Sequence, residues 1–166
     1  MTKDELKKLP LRWLVALAVR CVQRTLNDAP EAWAEVVTAS GAFSRGKPVG
    51  RAARRAVEEW TGDESAAERK ILAVAKAAVA AEQAARDADV ATDIDGVFSA
   101  TVSMESAGMD AVGYVLQTTE GDEQARRDYD RLIELANPYE RTFLFTGDPI
   151  DPGADGALGP FREGVA

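Results

Sequence analysis

Histidine is absent from this 166-residue chain, and cysteine occurs once, as Cys21. Without histidine there is no Ser-His-Asp or Cys-His machinery, no HExxH zinc helix and no Glu-x-x-His pair of the kind that holds two metals in helical bundles. One cysteine supplies neither an internal disulfide framework nor a zinc ligand set, and it implies a reducing compartment. Cys21 also lies in an apolar helical run, the setting of a small buried hydrophobe; a reactive thiol needs an exposed, electropositive one. No catalytic residue and no cofactor is therefore assigned.

Long apolar runs are missing too. A membrane span needs about 20 apolar residues, and no stretch comes near that. The nearest thing to an export signal is Trp13–Val19 behind Lys3, Lys7, Lys8 and Arg12, which is short and closed by Arg20. Positive charge is outweighed: the formal net charge is −8 and the pI about 4.7. Phosphate contacts need a positive face, so nucleic acid is not the expected partner. The balance fits a cytoplasmic protein, or a neutraliser of a basic partner. Convincing strand alternation is absent throughout.

What remains is helix. With 46% hydrophobic and 29% charged residues, the chain can bury a core and suits one domain, or one domain plus a tail. Its strongest signal is Ala66–Ala91, where Ala67, Ile71, Val74, Ala78, Ala81, Ala85 and Ala88 follow steps of four and three without a Gly or Pro between them. Ser65 and Glu68 have capping-box spacing ahead of it, as do Thr2 and Glu5 at the start of the chain and Asp28 and Glu31 later. Pro10 either kinks a first helix from Lys3 or begins a new one. Leu11–Leu26 confines Arg12, Arg20, Gln23, Arg24 and Asn27 to a narrow stripe, so this helix should sit centrally, surrounded by others.

A second helix follows Pro30 and carries Trp33, Val36, Val37 and Phe43, with Gly46 as its stop. A third runs from Pro48 through Trp60. The helix over Val97–Thr118 has its own small-residue seam (Val97, Ala100, Met104, Ala107, Ala111, Tyr114), which predicts an antiparallel hairpin with Ala66–Ala91. Gly108 and Gly113 weaken it by about 1 kcal/mol each, a cost that close packing could offset. Gly121-Asp122 opens a sixth helix, ended by Asn137-Pro138. Beyond residue 138, Pro and Gly are too dense for regular structure. The expectation is an all-α bundle of about six helices over residues 1–138, with an irregular Pro/Gly-rich tail over 139–166. Phe143, Phe145, Ile150 and Phe161 are the residues able to dock that tail.

Three local features bear on function. Arg45, Lys47, Arg51, Arg54 and Arg55 form a cationic face that could hold a phosphate, a nucleic-acid backbone or an acidic partner. An ordinary solvated face with Arg54–Glu58 and Arg55–Glu59 pairs is the favoured reading, since amphipathic helices routinely carry such charge. Asp93-Ile94-Asp95-Gly96 has part of a calcium-loop pattern, but Ala91 and Val102 occupy the two anchoring positions, so a capped turn is expected. Asp148, Asp151 and Asp155 could wrap an ion or simply form turns. Glu82, Asp89, Glu105 and Asp110 are the acids able to reach between helices, most of them expected to be solvated. Trp13, Trp33 and Trp60 each fall on the apolar face of their helix and should pack in the core.

Leu11–Leu26 (LRWLVALAVRCVQRTL), Lys76–Ala91 (KAAVAAEQAARDADVA) and Ser106–Leu116 (SAGMDAVGYVL) together resemble a group of alanine-rich helical bacterial proteins catalogued as immunity proteins, taken to neutralise partner toxins. The resemblance spans roughly residues 10–118 and rests on alanine patterning. Histidines associated with the later helix of that group are replaced here, with Ser103 and Ala107 in their neighbourhood, so any metal or catalytic role attached to them would be lost. The leading expectation is a non-catalytic, cytoplasmic protein-binding module of immunity or accessory type. The alternative is an anion- or small-molecule-binding bundle, or an enzyme, whose site is lined by the Lys47–Arg55 face. Homo-oligomerisation through the small-residue hairpin is a third. In each case Ala66–Ala91 is expected to be mostly buried, with the functional surface on the cationic face or the tail.

Overall fold

The computed structural model describes residues 1–24, 26, 30–119, 123–136, 139, 141–153 and 155–159. Among them are seven helices and no strand: α1 (Lys3–Leu6), α2 (Leu11–Gln23), α3 (Glu31–Ser44), α4 (Arg51–Glu58), α5 (Ala66–Val90), α6 (Ile94–Thr119) and α7 (Glu123–Leu135). The protein is an all-α helical bundle. No helix among the described residues is long and apolar enough to cross a membrane.

Pro10 begins a new helix: α1 is one turn closed by a complete Thr2/Glu5 capping box, and α2 starts directly after the proline. α2 is central, packing against α3, α5, α6 and α7. Every residue from Trp13 to Val22 is buried. That burial includes Arg20 of its polar stripe, which meets the tail and α7 rather than solvent. α3 ends as its glycine predicts, with Gly46 at φ +75°, a conformation that side chains with a Cβ rarely adopt. α4 is shorter than the Pro48–Trp60 expectation. Val49 N–H donates to the Glu82 carboxylate and Gly50 N–H to the Ala39 carbonyl, and these long-range bonds hold the segment extended until Arg51.

α5 and α6 share the largest helix–helix interface, the predicted hairpin. Its seam is buried through Ile71, Val74, Ala78 and Ala81, then emerges into solvent at Ala88. The two α6 glycines behave differently. Gly108 lies under the ring of Phe143, so its close approach is to the tail and not to α5, whereas a Cβ on Gly113 would meet nothing within 4 Å. Gly113→Ala should therefore stabilise the protein by about 0.5–1 kcal/mol through helix propensity, read as a higher midpoint in urea at unchanged slope.

Ser65 and Glu68 form the predicted capping box on α5, and Glu68 also accepts the Trp33 indole N–H at 2.8 Å, tying α3 to α5. The Ser65 backbone N–H, then its hydroxyl, then the Trp33 indole hold the Glu68 carboxyl below its usual 4.5. A carboxyl lowered in the folded state contributes stability above the unfolded value and loses it as pH falls through the folded one. Acid titration should thus shift the Trp33 indole N–H resonance below pH 4.5, and Glu68→Gln should leave that resonance pH-independent over the same range.

The described tail residues, 142–153 and 155–158, lie along the bundle without helix or strand, held by their backbone. Leu11 and Arg12 N–H donate to the Phe145 and Thr146 carbonyls, Phe143 N–H donates to Lys7, and Ile150 N–H to Ser44. The Arg12 guanidinium donates to the Gly147 carbonyl at 2.8 Å and the Trp13 indole to that of Asp148 at 2.9 Å. Arg20, with none of its surface exposed, donates to the Pro152, Gly153 and Leu158 carbonyls and forms a 2.9 Å ion pair with Asp128 of α7. Arg24 shares the same Asp128 carboxylate. Burial, and secondarily the neighbouring Arg24 guanidinium, push Arg20 down to about 10, which leaves it a cation at neutral pH. Arg12, Trp13, Arg20 and Arg24 are thus a set of donors that fastens the tail and α7 to the central helix.

Of the proposed tail anchors, Phe143 and Ile150 are buried, Phe145 is half-exposed, and Phe161 lies outside the described residues, as do the Asp28 cap and the Gly121-Asp122 and Asn137-Pro138 cues.

Candidate functional site

The cationic face does not assemble as a single patch. Arg45 donates to the Thr38 carbonyl at 3.1 Å and stands 3.8 Å from Asp151 of the tail. Arg54 turns inward to Glu82, not along its helix to Glu58, and Glu82 also receives Arg86 and the Val49 N–H. Glu82 is 6% exposed, a buried carboxylate where a solvated one was expected; its three donors explain why it tolerates that position. Arg55 pairs with Glu59 at 2.8 Å as the i,i+4 spacing predicts. Lys47 and Arg51 stay exposed with no ion pair among the described residues.

Arg51 and Arg55 do share a groove of about 510 Å³ between α3 and α4, lined also by Trp33, Trp60, Glu35 and Glu64. Trp60 is not in the core. α4 ends at Glu58, so the ring falls beyond the helix, half-exposed, with the Lys76 ammonium 3.4 Å from its centroid. One buried carboxylate oxygen of this groove, Glu64 Oε2, accepts no hydrogen bond from the protein. Among the described residues no three His, Cys, Asp or Glu side chains converge as metal ligands, and Asp93 caps α6 by accepting the Gly96 N–H at 2.7 Å.

Among the described residues, exposed large apolar side chains gather elsewhere, at the turn end of the α5–α6 hairpin. Val90 closes α5 and Ile94 opens α6; both are exposed, Ile94 at 86%. Phe98, 70% exposed, and Val102, half-exposed, follow Ile94 at four-residue steps. They form a stripe on the side of α6 opposite its buried seam of Ala100, Met104, Ala107 and Ala111. Val97 turns toward the tail, where it lines a groove of about 340 Å³ with Met104, Leu144 and Phe145. Scattered exposed apolar residues are ordinary, whereas several gathered at one end of a bundle make that end a candidate interaction surface.

The electrostatics of this end are one-sided. Asp87, Asp89, Asp93 and Asp95 surround the turn, and none forms an ion pair among the described residues. Residues 87–125 contain nine acidic residues and no lysine or arginine, so this stretch carries −9 against a net −8 for the whole chain, and the remainder is close to neutral. Both signals stand in the sequence, the Ile94–Phe98–Val102 spacing and the basic-free stretch. The alanine seam hides the first, because it offers a second, equally periodic face for burial.

Compared with known proteins, the chain matches no family model, no curated protein and no solved structure.

Proposed function

We propose that this protein is a non-catalytic, cytoplasmic binding module of immunity or accessory type, which acts by covering the α5–α6 end with another protein. The observation that carries this reading is the exposed stripe Ile94–Phe98–Val102 with Val90 beside it. Each such side chain gains about 1.5–3 kcal/mol when taken fully out of water, enough for a few anchors to hold a partner. Buried, hydrogen-bonded polar groups such as Arg20, Asp128 and Glu82 belong to the architecture and leave the chemistry-bearing residues occupied.

The test compares two immobilised proteins, the natural one and the Ile94→Asp/Phe98→Asp variant, against lysate of the source organism. A protein retained stoichiometrically by the first and lost from the second supports the reading. Identical captured sets from both variants overturn it. Since both side chains are exposed, the variant should melt within about 2 °C of the natural protein, as surface changes generally do.

A second reading draws on the α3–α4 groove, where Arg51 is a cation without an ion-pair partner among the described residues and the Trp33 and Trp60 rings flank it. In that reading the groove takes a small aromatic anion, with Arg51 receiving its charge. Arg51→Glu should then abolish quenching of tryptophan fluorescence by such ligands without changing thermal stability, and unchanged quenching would exclude it.

A further inference from the structure

Resting on the protein-binding reading, we infer that the element docking on α6 is a basic amphipathic helix of the partner.

The shape argues for a helix. Ile94, Phe98 and Val102 lie on a stripe two turns, about 12 Å, long, and such an i, i+4 ridge packs into the groove between side-chain rows of a second helix laid along it. An amphipathic partner helix carries its own anchors at i, i+3, i+4 and i+7, a repeat of the same pitch as the α6 stripe. The pocket beside it, walled by Val97, Met104 and Phe145, has room for one large apolar side chain at the stripe's edge.

The charge argues for a basic one. Asp89, Asp93 and Asp95 flank the stripe at the turn, Glu105 continues along α6, and no lysine or arginine occurs between Arg86 and Arg126. Arg86 itself is committed to Glu82. A second copy of this chain would set these carboxylates against one another, and an anionic membrane would repel them. A helix with leucine-like anchors on one face and lysines or arginines along its flanks is attracted from a distance and pairs with the rim on contact.

The test uses two labelled synthetic helices of about 18 residues with identical leucine stripes, one flanked by lysines and the other by glutamates, read by fluorescence anisotropy against the full chain. The lysine peptide should bind, and at least tenfold more tightly than the glutamate peptide. Its affinity should fall at least tenfold as salt rises from about 0.1 M to 1 M, because the screening length shortens from about 10 Å to 3 Å. Phe98→Asp should abolish binding, and Asp89→Lys/Asp95→Lys should reduce it at least tenfold. Equal binding of both peptides, or binding undiminished in Phe98→Asp, would overturn the inference. So would no binding of either. In those cases the lysate comparison still decides separately whether this end binds a protein at all. A melting temperature lowered by several degrees in Phe98→Asp would show that the chain covers the stripe itself, and sedimentation as a dimer dispersed by that substitution would show a second copy there; either result overturns the inference.

Discussion

Asp128→Ala is expected to lower the melting temperature by about 10 °C. The carboxylate is buried between Arg20 and Arg24, and Arg20 has no exposed surface. Removing one member of a buried ion pair costs about 3–5 kcal/mol, because the remaining charge keeps its desolvation penalty while losing its counter-charge. For a chain of this size each kcal/mol moves the midpoint by about 2–4 °C. The loss extends beyond α7. The same Arg20 guanidinium donates to three tail carbonyls, at Pro152, Gly153 and Leu158, so a displaced Arg20 releases the tail as well. Limited proteolysis should accordingly cleave the variant in residues 142–158 before the helices. Asp128→Asn, which keeps the size and one acceptor, should fall between the two. A melting temperature within about 3 °C of the natural protein for Asp128→Ala would show that this cluster does not hold the fold.

Gly108→Ala is the second large effect, and its sign is the informative part. On propensity alone an alanine inside α6 gains up to about 1 kcal/mol. Here its Cβ would stand 2.2 Å from Cδ2, 2.5 Å from Cγ and 2.9 Å from Cβ of Phe143. Those atoms lie near the root of the side chain, and the Phe143 N–H is bonded to the Lys7 carbonyl, so the ring cannot swing clear without moving the tail. Overpacking of this kind costs about 1–3 kcal/mol, so the net should be a destabilisation near 1–2 kcal/mol by chemical denaturation. In a Phe143→Ala background the clash is gone, and Gly108→Ala should then stabilise by about 0.5–1 kcal/mol. The reversal of sign separates this contact from any intrinsic requirement for glycine. Persistence of the same destabilisation without the ring would place the clash elsewhere.

The elements whose periodicity is local were legible before any coordinates. α5 starts and ends where its capping box and its seam place it, and α2 is the surrounded helix that its narrow polar stripe requires. Element ends that depend on distant bonds were not. α4 begins three residues after Pro48 because Val49 and Gly50 donate across the chain, and it ends at Glu58, which leaves Trp60 beyond the helix and half-exposed. The outward stripe of α6 is not legible in the sequence for a related reason. The small-residue seam of α6 and the stripe Ile94–Phe98–Val102 are both helical repeats, and periodicity alone does not say which of two apolar faces receives a neighbour. Phe145 was named as an anchor; it is pinned by its backbone carbonyl to Leu11 while its ring stays half-exposed at the second groove.

Ala66–Ala91, the strongest signal in the chain, shows the division most clearly. Sequence alone determined that it is one helix, that it pairs with the helix following a short turn, and that the chain is an all-α bundle. These rest on interactions between residues three and four apart, which any chain with this pattern must make. Only the tertiary structure decided that Arg20 meets Asp128, 108 residues away, that the tail is fastened through its carbonyls, and that the last turn of α5 emerges beside an uncovered stripe. Those outcomes depend on pairings between distant segments, where burial and hydrogen bonding select among many locally equivalent faces.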